Sequence, residues 1–247
     1  MTSEVAHTAA AIVIGNELLS GKVRDENVFE LSRVLRALGV RLNRVVLVPD
    51  EVAAIASQVS ELRRAFDVVF TSGGVGPTHD DLTIQAVARA FDVPVVPNAM
   101  LRALLERAYA ERITPHHLRM ASVPEGARLL GTDSVTWPAI VLDNVWMLPG
   151  VPEIFRAKLA IVNAWVRGPG AILTRSVLTV LDEPELKPAL DSVVERFADV
   201  EVGSYPRFRD PEFKTLVTFD SPHAERLDQA LGELVRLLPP AAPHRVE

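Results

Sequence analysis

The chain has 247 residues, 48% hydrophobic and 23% charged, the composition of a soluble globular protein able to bury a sizeable core. That balance excludes collagen-like, coiled-coil and disordered chains. The absence of cysteine excludes disulfides, thiolate nucleophiles and zinc-thiolate or iron–sulfur sites. A net charge of −6 argues against nucleic acid as a partner, and no run approaches the roughly 20 apolar residues of a membrane span. With no basic stretch before the first apolar run, the start does not read as a signal peptide, so a cytoplasmic location is expected.

Ala9–Ile14 is a continuous apolar run stopped by Gly15, the pattern of a strand buried on both faces. Val28, Leu31, Val34, Leu35 and Leu38 then recur at helical spacing, with Gly39 placed to end the helix. The run Val45–Val48 ends at Pro49-Asp50, and Val52, Ile55, Ala56, Val59 and Leu62 repeat the helical spacing. A third run, Val68–Phe70, enters a glycine-rich loop and then a helix from about Asp80 to Phe91. Further helices are predicted over Asn98–Ile113, Pro115–Ala121 and Pro152–Val166. Between the last two, Ala139–Leu142 and Val145–Leu148 read as a hairpin about Asp143-Asn144. This alternation predicts an α/β fold, a three-layer open and mostly parallel sheet.

Gly168-Pro-Gly170 breaks the pattern, which places one domain at 1–168 and a small α+β domain at 170–239. In the small domain, strands are expected over Ile172–Leu181 and near Val200–Ser204 and Phe213–Phe219. Its helices are expected at about Pro184–Phe197 and Pro222–Leu238. Residues 240–247, rich in proline, are expected to be a flexible tail.

Ligands of open parallel sheets bind beyond the carboxyl ends of the strands, so the segments following each run are the places to look. They are Gly15 to Asn27, Pro49-Asp50, Ser72 to Thr83, and Pro149-Gly150. Gly73-Gly-Val-Gly76 ahead of a helix has the physical make-up of a phosphate cradle, because glycine lets backbone amides approach an anion closely. It also has a plain reading as a turn. It is neither a Walker loop nor a dinucleotide fingerprint, since Pro77-Thr78 follow it. Glu17, Asp25, Asp50, Asp80 and Asp81 crowd the same rim; Asp50, Asp80 and Asp81 could equally cap helices. Five carboxylates around an anion site would repel phosphate, and a divalent cation bridging acid and diphosphate resolves the conflict. Lys22 and His79 are weaker candidates for contacting phosphate. His116-His117 has no acid near it in sequence to complete a metal site, and no serine-hydrolase elbow is present.

Four segments in order carry a resemblance: Gly15-Asn-Glu-Leu-Leu-Ser-Gly21 with Asp25-Glu-Asn27; Pro49-Asp50-Glu51; Thr71-Ser-Gly-Gly-Val-Gly-Pro-Thr-His-Asp-Asp-Leu-Thr83; and Leu148-Pro-Gly150. Together they resemble the MoaB/Mog molybdopterin-binding domain, in the version found at the N-terminus of CinA and in FAD synthase. Val202-Gly-Ser-Tyr-Pro206 and Lys214-Thr-Leu-Val-Thr-Phe-Asp-Ser221 are similar to the FAD-synthase version. The resemblance implies a MoaB/Mog-like domain followed by a KH-like α+β domain, with RNA binding not expected. It implies Asp50 and Asp81 as the functional acids, and metal-dependent hydrolysis of ADP-ribose or FAD.

On this reading Gly73, Gly74 and Gly76 cradle phosphate. Asp80 and Asp81, with Asp25, hold magnesium, manganese or cobalt. Thr71, Ser72 and Thr83 donate hydroxyl hydrogen bonds, and Gly15, Glu17, Asn27, Pro149 and Gly150 complete the nucleotide site. Asn16 stands at a position that the resemblance often fills with Asp or Thr, so a metal-facing carboxylate is not expected there. The chain carries neither an amidase nor an adenylyl-transfer segment, so deamidation and FAD synthesis are not expected. A small-molecule ligand and a homo-oligomer are expected. The rival readings are molybdopterin binding with adenylyl transfer, and a catalytically silent nucleotide-binding module.

Overall fold

A computed structural model describes residues 5–240 and 242–247. It divides into two compact units, Met1–Pro169 and Gly170–Glu247.

The first unit runs β1 (Thr8–Ile14), α1 (Asn16–Leu19), α2 (Asn27–Leu38), β2 (Arg41–Val48), α3 (Val52–Ala65), β3 (Val68–Ser72) and α4 (Thr83–Phe91). It continues with β4 (Val95–Pro97), α5 (Ala99–Tyr109), a 3-10 turn (Ala110–Arg112), α6 (Pro115–Arg119) and β5 (Ser122–Pro124). It closes with β6 (Arg128–Thr132), β7 (Val135–Leu142), β8 (Val145–Leu148) and α7 (Pro152–Trp165). Six strands form one sheet in the order β2-β1-β3-β8-β7-β6. The pairs β2/β1, β1/β3 and β3/β8 are parallel, and β8/β7 and β7/β6 antiparallel.

Side chains alternate across a strand, so β1 feeds two cores. Ala10, Ile12 and Ile14 pack with Ile55 and Val59 of α3, Val87 of α4 and Leu101 of α5. Ala9 and Ala11 pack on the other face with Leu31 and Leu35 of α2 and Phe155 and Val162 of α7. The result is the expected three-layer α/β arrangement. The chain leaves β1 for β2 on one side of the sheet and reaches β3 on the other, which opens a crevice at their carboxyl ends.

Several boundaries differ from the sequence reading, each for a local reason. β2 is longer than its apolar run because it is the sheet edge and most of its side chains are exposed. α4 begins at Thr83 rather than near Asp80, because residues 78–81 wind around the Asp81 carboxylate. α5 stops at Tyr109, where Ala110 takes φ 46°. The short β4/β5 pair and β6 were not expected; each has too few apolar alternations to stand out. The hairpin is as expected, with Asp143 left-handed at φ 53°.

The second unit runs β9 (Leu173–Thr179), α8 (Glu183–Arg196), β10 (Glu201–Pro206), β11 (Thr215–Ser221), α9 (Ala224–Leu237) and β12 (His244–Val246). Its antiparallel sheet has the order β10-β11-β9-β12. Val177, Val217 and Phe219 of the sheet pack on Leu186 and Val193 of α8 and Leu227 and Leu234 of α9. Asp182 and Glu185 form a reciprocal capping box at the start of α8. Of the flexible tail expected over 240–247, Ala241 lies outside the described residues, and His244–Val246 form β12 instead. His244, Arg245 and Val246 pair with Thr179, Leu178 and Val177 as an edge strand. The side chains of β12 are all exposed, so backbone hydrogen bonds rather than apolar pattern hold it.

The start of the first sheet is pinned by Asp67. Its Oδ2 accepts from the amides of His7 and Thr8 at 2.8 and 2.9 Å and from the Thr8 hydroxyl at 3.0 Å. The His7 amide bond, then that of Thr8, holds its pKa below the ordinary carboxylate value. A lowered carboxylate contributes stability above its unfolded pKa, and that contribution is lost as pH falls through the folded one. In thermal unfolding across acidic pH, Asp67→Asn should be less stable than wild type near neutrality. The difference should shrink below about pH 4; parallel profiles would overturn this role.

Candidate functional site

Beyond the carboxyl ends of β1, β3 and β8, three loops close on one another through backbone. The Gly15 amide bonds Val48 O, and the Gly73 amide bonds Leu148 O at 3.1 Å. Gly73 lies at φ 112°, and a Cβ there would stand 2.4 Å from Ile14 O. A Cβ on Gly150 would stand 3.2 Å from Gly73 Cα. At Gly73 only glycine allows this approach.

These loops frame a cleft of about 650 Å³, within the usual range for small-molecule sites. Its polar side carries Glu17, Asp50, the Gly73–Thr78 loop, Asp80 and Asp81, with Pro149 and Gly150 beside them. Its apolar side is built from Met120, Trp137, Ile140, Met147, Val151 and Ile154.

Two groups on the polar side suit an anion. Among the described residues, the amides of Gly74, Val75 and Gly76 have no intramolecular acceptor, leaving three consecutive N–H donors in the loop. The 14-residue helix α7 also begins at the cleft with no side-chain cap, so the positive end of its dipole is left for a ligand.

The carboxylates are held in place by neighbours. Asp50 does not cap α3; its Oδ2 accepts the Asn16 amide at 2.8 Å. Asp81 does not cap α4; its Oδ2 accepts the Thr78 amide at 2.7 Å and the Thr78 hydroxyl at 2.6 Å. Asp80 Oδ1 lies 2.5 Å from that same hydroxyl, which lowers the Asp80 pKa. One hydroxyl proton cannot serve two carboxylates, so a cation near this pair would relieve their repulsion.

The expected site residues separate into two groups. Glu17, Asp50, Gly73, Gly74, Gly76, Asp80, Asp81, Pro149 and Gly150 line the cleft. Gly15, Asp25, Asn27, Thr71, Ser72 and Thr83 lie outside that lining. Asp25 accepts the Val28 amide at the start of α2. Asn27 Nδ2 donates to Ser72 Oγ at 2.9 Å and Gly150 O at 2.7 Å, tying two loops together from behind. Thr83 Oγ1 donates to Gly73 O at 2.7 Å. Thr71 is fully buried, and its hydroxyl has no partner among the described residues. His117 completes a capping box with Thr114 and stacks on Tyr109, so it has a structural role.

Among the described residues, no group of three or more histidine, aspartate or glutamate side chains is arranged to hold a metal unaided. The donor set of Asp80, Asp81 and Thr78 fits an ion shared with ligand phosphate, since magnesium commonly takes only one or two protein carboxylates.

Sequence reading passed over Lys158. It is 4% exposed and lines the cleft from α7. Its Nζ donates to Trp137 O and, at 2.8 Å, to Pro138 O. Burial pulls its pKa down to about 8. The available signal was a lysine among Phe155, Leu159 and Val162 on the apolar stripe of its helix.

This geometry describes a small-molecule cleft at the switch point of an α/β sheet. Residues 10–166 match the family described as "Probable molybdopterin binding domain", and residues 171–247 match "FAD synthase, middle domain". The chain belongs to the molybdopterin-binding-domain family. It is 31% identical to a "Probable FAD synthase" of Caenorhabditis briggsae over 94% of this chain and 49% of that protein. It thus spans about half the length of that relative. A protein of Archaeoglobus fulgidus is 30% identical over 92% of this chain and 96% of its own length. The crystal structure of CinA from Thermoplasma acidophilum superposes with a TM-score of 0.59 at 29% identity, covering 64% of this chain and 97% of that one. Among the described residues no helix is long and apolar enough to cross a membrane.

Asn27 tests the closure of the loops. Asn27→Ala leaves Gly150 O and the Ser72 hydroxyl without their buried partner, at a cost of roughly 1–3 kcal/mol. Denaturant unfolding should show that loss. Unchanged stability would show that the clamp does not hold the loops.

Proposed function

We propose that this cleft binds a nucleotide-type diphosphate and, with a divalent metal, hydrolyses it; ADP-ribose and FAD are the expected substrates. The observation that carries the reading is the run of free amides at Gly74, Val75 and Gly76 beside Asp50, Asp80 and Asp81. Amides alone would suit any anion, and acids alone would repel one. The two together suit phosphate accompanied by a cation. The apolar wall offers Trp137 and Met147 to a flat heterocycle, adenine or isoalloxazine.

In the reaction, water adds to one phosphorus and the bond from that phosphorus to the bridging oxygen breaks. ADP-ribose yields AMP and ribose 5-phosphate; FAD yields AMP and FMN. The loop amides hold the non-bridging oxygens and stabilise charge as it builds. Asp80 and Asp81 would hold magnesium, manganese or cobalt, which supplies charge neutralisation and polarises a phosphoryl oxygen. Asp50, fixed through Oδ2, keeps Oδ1 without an intramolecular partner among the described residues, able to accept a proton from water.

The match of residues 10–166 to a molybdopterin-binding domain favours a second reading, pterin binding with adenylyl transfer at the same cleft. Phosphate release by a coupled phosphatase, on ADP-ribose, FAD and NAD with each metal and with a chelator, separates the two. Metal-dependent release is expected for ADP-ribose or FAD. No release, with pterin fluorescence copurifying, would replace hydrolysis by pterin binding.

Asp81→Asn should lower turnover by about a hundredfold or more while leaving the thermal transition near wild type. Full activity in that variant would remove Asp81 from the mechanism. A homo-oligomer is also expected. The edge strand β2 exposes Val45 and Leu47 to 46% and 43%, an apolar strip that suits a second copy. Light scattering should give a multiple of the chain mass, and a monomer would refute it.

A further inference from the structure

We propose that Lys158 is the phosphate-recognising cation of the cleft, binding the phosphate that the Gly74–Gly76 amides do not hold. The proposal rests on the diphosphate reading above and assigns its second anchoring point.

A lysine ammonium has three donors, and here two are spent on Trp137 O and Pro138 O. The carbonyls fix the ammonium against β7 but carry no charge. Among the described residues no carboxylate lies within ion-pair distance of Nζ, although four carboxylates line the same cleft. A buried cation without a counter-ion is costly. An anionic ligand in the cleft removes that cost, and the remaining N–H gives it a point of attachment.

Position on the helix supports the same partner. Val151, Ile154 and Lys158 fall at helical spacing on the cleft-lining stripe of α7. The amides of Glu153 and Ile154, in the first turn, have no intramolecular acceptor among the described residues. Helix end and ammonium thus present positive charge along one line, separate from the Gly74–Gly76 amides. Two anion-binding groups in one cleft match two phosphates. A flat heterocycle bound against Trp137 gives no reason to bury a full charge.

The test uses ligand pairs that differ only by phosphate: AMP with adenosine and FMN with riboflavin, together with ADP-ribose. Their affinities are measured calorimetrically for wild type and Lys158→Met, with magnesium for AMP, adenosine, FMN and riboflavin, and in chelator for ADP-ribose, which hydrolysis would otherwise consume. The variant should bind AMP, FMN and ADP-ribose at least about tenfold more weakly, and adenosine and riboflavin as wild type does. Equal weakening within each pair, or none, would overturn the assignment.

The variant removes a donor from two buried carbonyls and could fail to fold, so wild type provides a second measurement. With its pKa near 8, Lys158 is mostly charged at about pH 7 and mostly neutral at about pH 9.5. The other charged groups facing the cleft are Glu17 after β1, Asp50 after β2, and Asp80 and Asp81 after β3. Carboxylates as a class titrate far below that window. The lining residues of β7 and β8 are uncharged.

Wild-type affinity for AMP should therefore fall about tenfold across the window while that for adenosine stays level. A level AMP profile would overturn the proposal, as would failure to bind any phosphorylated ligand. Lys158-dependent binding of AMP or FMN, without hydrolysis of ADP-ribose or FAD under any metal, would uphold Lys158 and defeat the hydrolase reading.

Discussion

The site depends on how closely three backbones approach one another. Gly73 leaves β3 at φ 112° with Ile14 O where its Cβ would be, and Gly150 packs over it from the end of β8. A non-glycine residue at such a φ costs about 1–2 kcal/mol from the backbone alone, before the collision with Ile14 O is counted. Without that contact the loop after β3 could not fold back beside β1 and β8, and its amides would point into solvent. Thr83 and Asn27 then lock the arrangement from behind, through Gly73 O, Ser72 Oγ and Gly150 O. Their burial is what makes these bonds effective, because water cannot compete for the partners.

The charges in the cleft follow from this frame. Glu17, Asp50, Asp80 and Asp81 face one cavity, and Lys158 is the one basic side chain that lines it among the described residues. A surface that served only packing would not hold four carboxylates together while burying an ammonium with no ionic partner. Burial opposes the charged form of Lys158, whereas the Thr78 hydroxyl favours the charged form of Asp80. In the proposed reading a divalent ion would stand against the acids, and phosphate against the amides and the ammonium.

The fold was legible because its signal is periodic. The run in β1, the Val52–Leu62 helix and the Asp143-Asn144 hairpin each repeat a spacing that burial imposes. The cleft was half legible. Glycines and acids at strand ends stand out in sequence, so the Gly73–Gly76 loop, Asp50 and Asp81 could be placed on one rim. Which polar residues face the cleft and which face the loop's back could not be read, since Thr83 and Thr78 are the same residue type and only the fold buries one and opens the other to the cleft. Lys158 was overlooked because a helix stripe marks burial without saying what the buried side chain meets. β12 escaped for the opposite reason, being held by backbone bonds that leave no mark on side-chain pattern.

Asn16 shows why position and identity should be weighed separately. The Asp50 carboxylate is fixed by the Asn16 backbone amide, which any residue but proline would supply. The placement of Asp50 is therefore independent of the side chain at position 16. Among the described residues the acids of the cleft do not by themselves form a metal cage, which suits the proposed reading of a cation shared with a ligand's own oxygens.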